Sequence, residues 1–138
     1  MSSSKLEGGR SDLSLPRLTA MIVDVDSLRS KAQLVRSNDT YDIWDIYMQE
    51  LTLSMTVLHE GRATTGHTHY QTEEIYNFAA GTGEIDLGDE SPHPITAGDL
   101  VLIPRGMFHK VTNKGKRDLI FVCVFQKYDG MERSKCTD

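Results

Sequence analysis

Three histidines and one glutamate carry the chemistry that this sequence suggests. His67 and His69 are separated by one residue, so on an extended strand both side chains leave the same face. Glu74 opens the apolar run EIYNF, and His109 follows the turn signal PRG. Three imidazoles and one carboxylate that converge inside a small barrel would form a metal site with three nitrogen ligands and one oxygen ligand.

This donor set indicates one divalent transition metal as the cofactor. Neutral imidazoles and a carboxylate suit Fe, Mn, Zn, Ni or Co in the divalent state. Four protein ligands on an octahedral ion leave two positions for water, substrate or dioxygen, whereas a closed four-coordinate zinc site leaves none. A single histidine is more often a surface or hydrogen-bonded residue, and we interpret His59 and His93 in that way.

Glu73 is the alternative carboxylate. In a strand whose side chains alternate, Glu74, Tyr76 and Phe78 share one face, and Glu73 lies on the opposite face. A shift of one residue in strand pairing would exchange the two glutamates. Placing Tyr76 inside favours Glu74 as the ligand and leaves Glu73 as a solvated charge.

The spacing of these residues resembles the two signature motifs of the cupin superfamily. The first motif is matched at each of its fixed positions, which are Gly61, His67, His69, Glu74 and Gly81. The second motif is matched in the same way, by Gly98, Pro104, Gly106, His109 and Asn113. The resemblance is close over the middle of the chain and rests only on pattern in the flanking strands.

The resemblance implies a small single-domain cupin. Its fold would be all-β, a small antiparallel double-stranded β-helix of the jelly-roll, RmlC-like type with little helix. Its metal ligands would be His67, His69, Glu74 and His109, and the motif spacing also favours Glu74 over Glu73. The reaction does not follow, because this superfamily supports many chemistries on one barrel.

The rest of the sequence agrees with a barrel of short strands. Runs of β-branched and aromatic residues are separated by Gly, Pro, Asn and Asp, without a long helical pattern. We predict strands at 19–25, 41–49, 50–59, 67–70, 74–79, 83–87, 93–95, 100–103, 109–112 and 119–127. Residues 27–35 are predicted to form either one or two helical turns or an irregular strand.

We expect one domain with polar ends. The chain has 138 residues, enough for a single core, with 38% apolar and 25% charged residues, as in globular proteins. Residues 1–17 are rich in Ser and Gly and predict a disordered lead. The cupin barrel would then occupy residues 18–128, and residues 129–138 would form a polar tail.

Charge and hydropathy argue against several classes of partner. A net charge of −5 and a pI near 5.5 disfavour a nucleic-acid binder, which would show a basic face. No apolar run approaches the ~20 residues of a membrane-spanning helix, and the stretch MSSSKLEGGR lacks the apolar core of a secretory signal. Cys123 lies in an apolar strand and Cys136 in a polar tail, so we expect no structural disulfide and a cytoplasmic protein.

Several side chains near the motifs are candidates to line the pocket, with core packing as the alternative. The predicted substrate-binding residues are Arg105, Tyr70, Phe78, Phe108 and Phe121. Arg105 could hold a carboxylate or phosphate through two nitrogens, or could be an exposed turn residue.

Three further side chains near the motifs are also candidates to lie at the pocket. Thr65 and Gln71 could hydrogen-bond a ligand or a nearby water. We interpret Cys123 as a small buried hydrophobic residue in a strand that could face the pocket.

Two classes of function follow from the resemblance. The first is a metal-dependent enzyme on a small polar molecule. It would be an isomerase or lyase acting on a sugar, sugar phosphate or organic acid through an enediolate-type intermediate, or else an Fe(II) dioxygenase. For the isomerase, the predicted catalytic residues are Glu74, as a base that leaves the metal transiently, or Tyr76, as a proton carrier. We favour an isomerase or lyase because an acidic chain with Arg105 suits a sugar-like or acid substrate.

The second class is a metal- or ligand-binding or sensing module without turnover, which would need a partner. For either class we predict a small-molecule ligand and a homodimer. A short strand at 19–25 would leave an open sheet edge, which is a liability unless another chain covers it. The resemblance implies that this strand pairs across a dimer, and two-fold dimers are the commonest assembly.

Overall fold

The computed structural model describes residues 20–88 and 92–126. Regular structure in this part consists of one short helix and ten strands. In chain order these are α1 (Val25–Leu28), β1 (Gln33–Ser37), β2 (Tyr41–Tyr47), β3 (Leu51–Leu58), β4 (His67–Thr68), β5 (Glu74–Ala80), β6 (Thr82–Leu87), β7 (His93–Thr96), β8 (Leu100–Ile103), β9 (Phe108–Asn113) and β10 (Leu119–Gln126).

The strands form two antiparallel sheets. The larger has the order β1-β2-β3-β10-β5-β8, and the smaller has the order β4-β9-β6-β7. Strands that neighbour one another in these sheets are often distant in the sequence, as β10 is from β3 and from β5. The predicted antiparallel all-β fold with little helix is confirmed.

The core lies between the inner faces of the two sheets. In β5, Glu74, Tyr76 and Phe78 are buried while the residues between them are exposed, which is the alternation of a strand with one solvated face. β10 alternates in the same way, and its Phe121 stacks on Tyr76 with ring centroids 5.1 Å apart. The inner face of the larger sheet therefore presents a carboxylate among aromatic rings.

A second, smaller apolar cluster covers the outer face of β3. Leu28 of α1 packs with Met55 and Val57, which explains why β3 is buried on both faces. The helix begins at an N-cap, where the carboxylate of Asp24 accepts a hydrogen bond from the backbone N–H of Ser27 at 2.8 Å.

The strand predicted at 19–25 is wrong over the described residues 20–25. Residues 20–24 have no regular structure and Val25 begins α1. The local hydrogen bonds between Asp24 and Ser27 outweigh the β propensity of the apolar residues before them. Both alternatives for 27–35 are found in part, since α1 ends at Leu28 and β1 begins at Gln33.

The other predicted strands are present, with boundaries that differ by a few residues. The strand predicted at 119–127 is observed up to Gln126. The predicted lead at 1–17 and the tail at 129–138 lie outside the described residues. Among the described residues, no helix has the length and apolar character needed to cross a bilayer.

Gly81 lets the chain pass from one sheet to the other within a single residue. It separates β5 of the larger sheet from β6 of the smaller one and has a φ of 90°. A Cβ at this position would lie 2.7 Å from the carbonyl oxygen of Asp118. Both the positive φ and the close approach require glycine.

Candidate metal centre

Four side chains from both sheets meet in the barrel interior. His67 lies in β4 and pairs directly with His109 of β9, so the smaller sheet supplies both residues. His69 follows β4 by one residue, and Glu74 is the first residue of β5 in the larger sheet. The backbone N–H of Gly106 donates to the carbonyl of His69 at 2.8 Å, which joins the two histidine-bearing segments.

The potential ligand atoms are close enough to share one ion. All of them lie within 4.8 Å of one another. Oε1 of Glu74 is 3.2 Å from Nε2 of His109 and 3.9 Å from Nε2 of His69. Ligand atoms held at about 2.1 Å by one octahedral ion lie about 3 Å apart when adjacent and about 4 Å apart when opposite. These contacts therefore fit a common ion.

In two of the three histidines, His69 and His109, Nδ1 has a protein partner and Nε2 is directed at Glu74. Nδ1 of His109 lies 3.0 Å from the carbonyl oxygen of Met107, and a carbonyl can only accept, so the proton of a neutral His109 sits on Nδ1. Nδ1 of His69 lies 3.3 Å from the hydroxyl of Thr72. Such contacts to the far ring nitrogen are typical of metal-binding histidines.

The surroundings of His69 favour its neutral form. Burial lowers the pKa of His69 below its usual 6.5, the neighbouring His109 lowers it further, and the carboxylate of Glu74 opposes both. Nε2 of His69, Nε2 of His109 and Oε1 of Glu74 are buried and have no hydrogen-bond partner among the described residues. Buried acceptors that face one another are costly unless a cation lies between them, so the donor set fits a divalent metal.

A small cavity adjoins the cluster. Its volume is about 20 Å³, the room needed for about one water molecule. The residues that line it are Thr56, Thr64, His67, Tyr76, His109, Phe121 and Cys123. The ring of Tyr76 also meets His109 edge-on, with centroids 5.7 Å apart.

Comparison with known proteins settles the family. Residues 54–125, just over half of the chain, match the family model described as a cupin domain. The chain belongs to the cupin family. The match includes all four residues of the cluster and agrees with the motif spacing.

Curated relatives match about half of the chain. The cupin is 35% identical to the protein SchB of Streptomyces halstedii over 63 residues, which are 46% of this chain and 45% of the relative. The chain spans about half the length of the curated relatives it matches.

Solved structures share the fold at low identity. A conserved protein from Klebsiella pneumoniae with a double-stranded β-helix domain has a TM-score of 0.67 and 20% identity over 82% of this chain and 95% of its own. A predicted oxalate decarboxylase from Thermotoga maritima has a TM-score of 0.65 and 22% identity over 78% of this chain and 100% of its own. The predicted double-stranded β-helix fold is thereby confirmed.

The structure of this cupin separates the predicted pocket residues into two groups. Tyr76 and Phe121 line the cavity. Phe78 is fully buried and packs in the core, while Tyr70, at 76% exposure, lies at the surface. Phe108 is exposed at 38% and does not line the cavity.

Arg105 is exposed at the surface, on the turn that precedes β9. Its Nε donates to the carbonyl of Gln71 at 3.2 Å, so the guanidinium lies beside the segment that carries His69. It does not line the cavity. The role of Arg105 in anion binding stays a prediction.

Two cavity-lining residues escaped the sequence reasoning. Thr65, the predicted hydrogen-bonding residue, is exposed, and Thr64 lines the cavity instead. Gly66 has a φ of 87°, which interrupts the alternation of side chains between Thr65 and His67. Thr56 belongs to β3, which is far from both motifs in the sequence, and only its pairing with Phe121 of β10 brings it to the cavity.

Proposed function

We propose that this cupin is an enzyme that holds one divalent transition metal through His67, His69, Glu74 and His109. The observation that carries the proposal is the convergence of three imidazoles and one carboxylate whose buried acceptor atoms face one another. Fe, Mn, Zn, Ni and Co all accept this donor set. A bound metal would supply a Lewis acid that polarises a substrate oxygen.

The reaction we propose is that of a lyase or isomerase on a small organic acid. The cavity beside the cluster has room for about one water molecule, so it would form only the inner end of the binding site for such an acid. On an octahedral ion, four protein ligands would leave two coordination positions. These suit one oxygen of a substrate carboxylate and one oxygen of an adjacent carbonyl or hydroxyl. The fold shared with a predicted oxalate decarboxylase is compatible with such a substrate and, at 22% identity, does not identify it.

Residues in and near the cavity would have separate roles in the reaction. Phe121 and the ring of Tyr76 form an apolar wall that excludes water from the reacting atoms. The hydroxyl of Tyr76 would give a proton to the carbon that loses its substituent, or return one to a neighbouring carbon during isomerisation. Arg105 would attract the acid at the surface through its charge.

NMR in D₂O tests this proposal in one experiment. Metal-loaded protein is incubated with malate, tartrate and pyruvate, and the spectra report loss of substrate, new product signals and exchange of carbon-bound hydrogen for deuterium, while oxalate, which has no carbon-bound hydrogen, is followed by its carbon-13 signal. The Tyr76→Phe variant, which keeps the ring and loses the hydroxyl, is the matched control. We expect turnover or exchange of at least one acid, at a rate about 100-fold lower in Tyr76→Phe.

Each other outcome has a clear meaning. Fully metal-loaded protein that changes none of these acids with any of the five metals would contradict the proposed lyase or isomerase. Consumption of dioxygen by the iron form would support the dioxygenase in its place. Binding of an acid without turnover or oxygen consumption would indicate a binding or sensing module.

A further inference from the structure

The thiol of Cys123 contacts the candidate carboxylate ligand. Cys123 lies in the middle of β10 and is exposed at only 4%. Its Sγ donates to Oε2 of Glu74 at a distance of 3.6 Å. An ionised carboxylate can only accept, so the thiol is the donor in this pair.

The two oxygens of Glu74 therefore have different surroundings. Oε1 faces Nε2 of His109 at 3.2 Å and Nε2 of His69 at 3.9 Å, and it has no hydrogen-bond partner among the described residues. Oε2 accepts a hydrogen bond from the thiol of Cys123 at 3.6 Å. One oxygen is directed at the candidate ion and the other is held by the protein.

Strand register fixes the position of the thiol. Cys123 pairs with Tyr76 of β5, while Glu74 pairs with Phe125, so Cys123 and Glu74 are diagonal neighbours on the inner face of the sheet. Diagonal neighbours on one face lie within reach of long side chains. On its other side Cys123 pairs with Ser54 of β3, which is buried at 2% exposure. The sheet on both sides of Cys123 thus restricts where the thiol can lie.

We infer that Cys123 is a positioning residue that keeps Glu74 a one-oxygen ligand and so preserves two open positions on the metal. This inference rests on the metal site proposed above. A carboxylate can bind a metal through one oxygen or both. A second bond from Oε2 would occupy one of the two positions that an octahedral ion keeps for water or substrate. The hydrogen bond from Cys123 opposes that rotation.

The number of water molecules on bound Mn(II) measures this effect directly. Mn(II) is titrated into metal-free wild type, Cys123→Ala and Cys123→Ser, and the relaxation rate of solvent protons reports the exchangeable waters on the ion. Serine retains a hydroxyl donor and is the matched control. Because one of two open positions is lost, we expect the relaxation enhancement per bound Mn(II) to fall by about half in Cys123→Ala and to be retained in Cys123→Ser.

A third variant tests whether the space left by the smaller side chain, and not the lost donor, causes the change. Cys123→Val fills the site without a donor and should behave as Cys123→Ala does, with circular dichroism of the metal-free forms matching wild type. Equal relaxation in wild type, Cys123→Ala and Cys123→Val would overturn the inference about Cys123. An equal loss of relaxation enhancement in Cys123→Ser and Cys123→Ala would also overturn it, because the loss would then not come from removal of a hydrogen-bond donor.

Different results would contradict the proposed metal site itself. If wild type binds neither Mn(II) nor any of the other four metals, or if His69→Ala binds Mn(II) as wild type does, the proposed site is wrong whatever Cys123 does. If wild type binds Mn(II) through the histidines and only the Cys123 comparison fails, the proposed site stands and the positioning role does not.

Discussion

Three of the four candidate ligands are each oriented by a local contact. His109 is held by the carbonyl of Met107, His69 faces the hydroxyl of Thr72, and Glu74 accepts from Cys123. These contacts lie in the barrel interior and are made by protein groups alone. Because the ligand atoms are oriented in advance, binding an ion requires little rearrangement of side chains.

We expect the metal-free protein to become less stable as the pH is lowered, because of His69. Its pKa in the folded state is below 6.5, so the unfolded chain takes up the proton first as the pH drops. Stability is then full above about pH 6.5 and declines through the interval between 6.5 and the lower folded pKa. Urea unfolding of metal-free protein at pH 7.5 and pH 5.5 measures this decline.

The matched control for this prediction is His69→Gln, which cannot take up a proton. Its loss of stability between the two pH values should be smaller than that of wild type. An equal or larger loss in His69→Gln would contradict the assignment to His69.

At the residue scale, the sequence predicts what its spacing encodes. The spacing predicts that His67, His69, Glu74 and His109 lie together, and they do. Cys123 was interpreted only as a buried hydrophobic residue, because its contact with Glu74 depends on how β10 pairs with β5. Register between strands distant in sequence is not visible in the local pattern.

At the scale of elements, Asn113 connects three parts of the barrel. It ends β9 and is buried at 2% exposure. Its Nδ2 donates to the carbonyl of Leu58 at 2.9 Å and to that of Arg117 at 2.8 Å, and its Oδ1 accepts from the N–H of Gly115 at 2.9 Å. One side chain thus fixes the end of β3 and the turn from β9 to β10.

We expect Asn113→Ala to destabilise the protein by about 3 kcal/mol, because it leaves buried backbone groups without partners. Urea unfolding measures the change. Asn77→Ala, an exposed position in β5, is the matched control and should cost less than about 0.5 kcal/mol. Metal content should be unchanged in both. An Asn113→Ala variant as stable as Asn77→Ala would show that these hydrogen bonds contribute little.

The strands themselves were predictable because turn residues bound them and their side chains alternate. The failure at 20–25 has a local cause, since the hydrogen bonds between Asp24 and Ser27 start a helix after apolar residues that suggested a strand. Thr64 replaced Thr65 at the cavity for an equally local reason, the positive φ of Gly66. Alternation predicts faces only where the backbone stays extended.

At the scale of the whole molecule, a bound metal would tie the two sheets together. His67 and His109 belong to the smaller sheet and Glu74 to the larger one. An ion bound only by the folded state stabilises it by about 2.7 kcal/mol when free metal is 100 times its dissociation constant. For a chain of 138 residues this corresponds to a rise in Tm of about 8 °C.

Thermal unfolding with added metal, and again after removal with EDTA, measures this difference. His109→Ala is the control and should show no rise in Tm with metal. The same rise in both proteins would contradict a link between the sheets through His109.

The homodimer stays a prediction, although its expected basis has changed. The strand at 19–25 that was to pair across the dimer is not formed over residues 20–25. Among the described strands, β1 and β8 are the edges of the larger sheet, and an edge strand is where a second chain can add by strand pairing. Light scattering at working concentration should give twice the mass of the chain, and the mass of a single chain would contradict the prediction.

Metal content measured by elemental analysis tests the central claim most directly. Untagged protein is reconstituted with each of the five metals in turn and desalted, beside His67→Ala and His69→Ala. We predict about one equivalent of at least one metal per wild-type chain, near-complete loss in both variants, and circular dichroism that matches wild type. Wild-type protein without metal after reconstitution, or variants that keep the full equivalent, would contradict the site formed by His67, His69, Glu74 and His109.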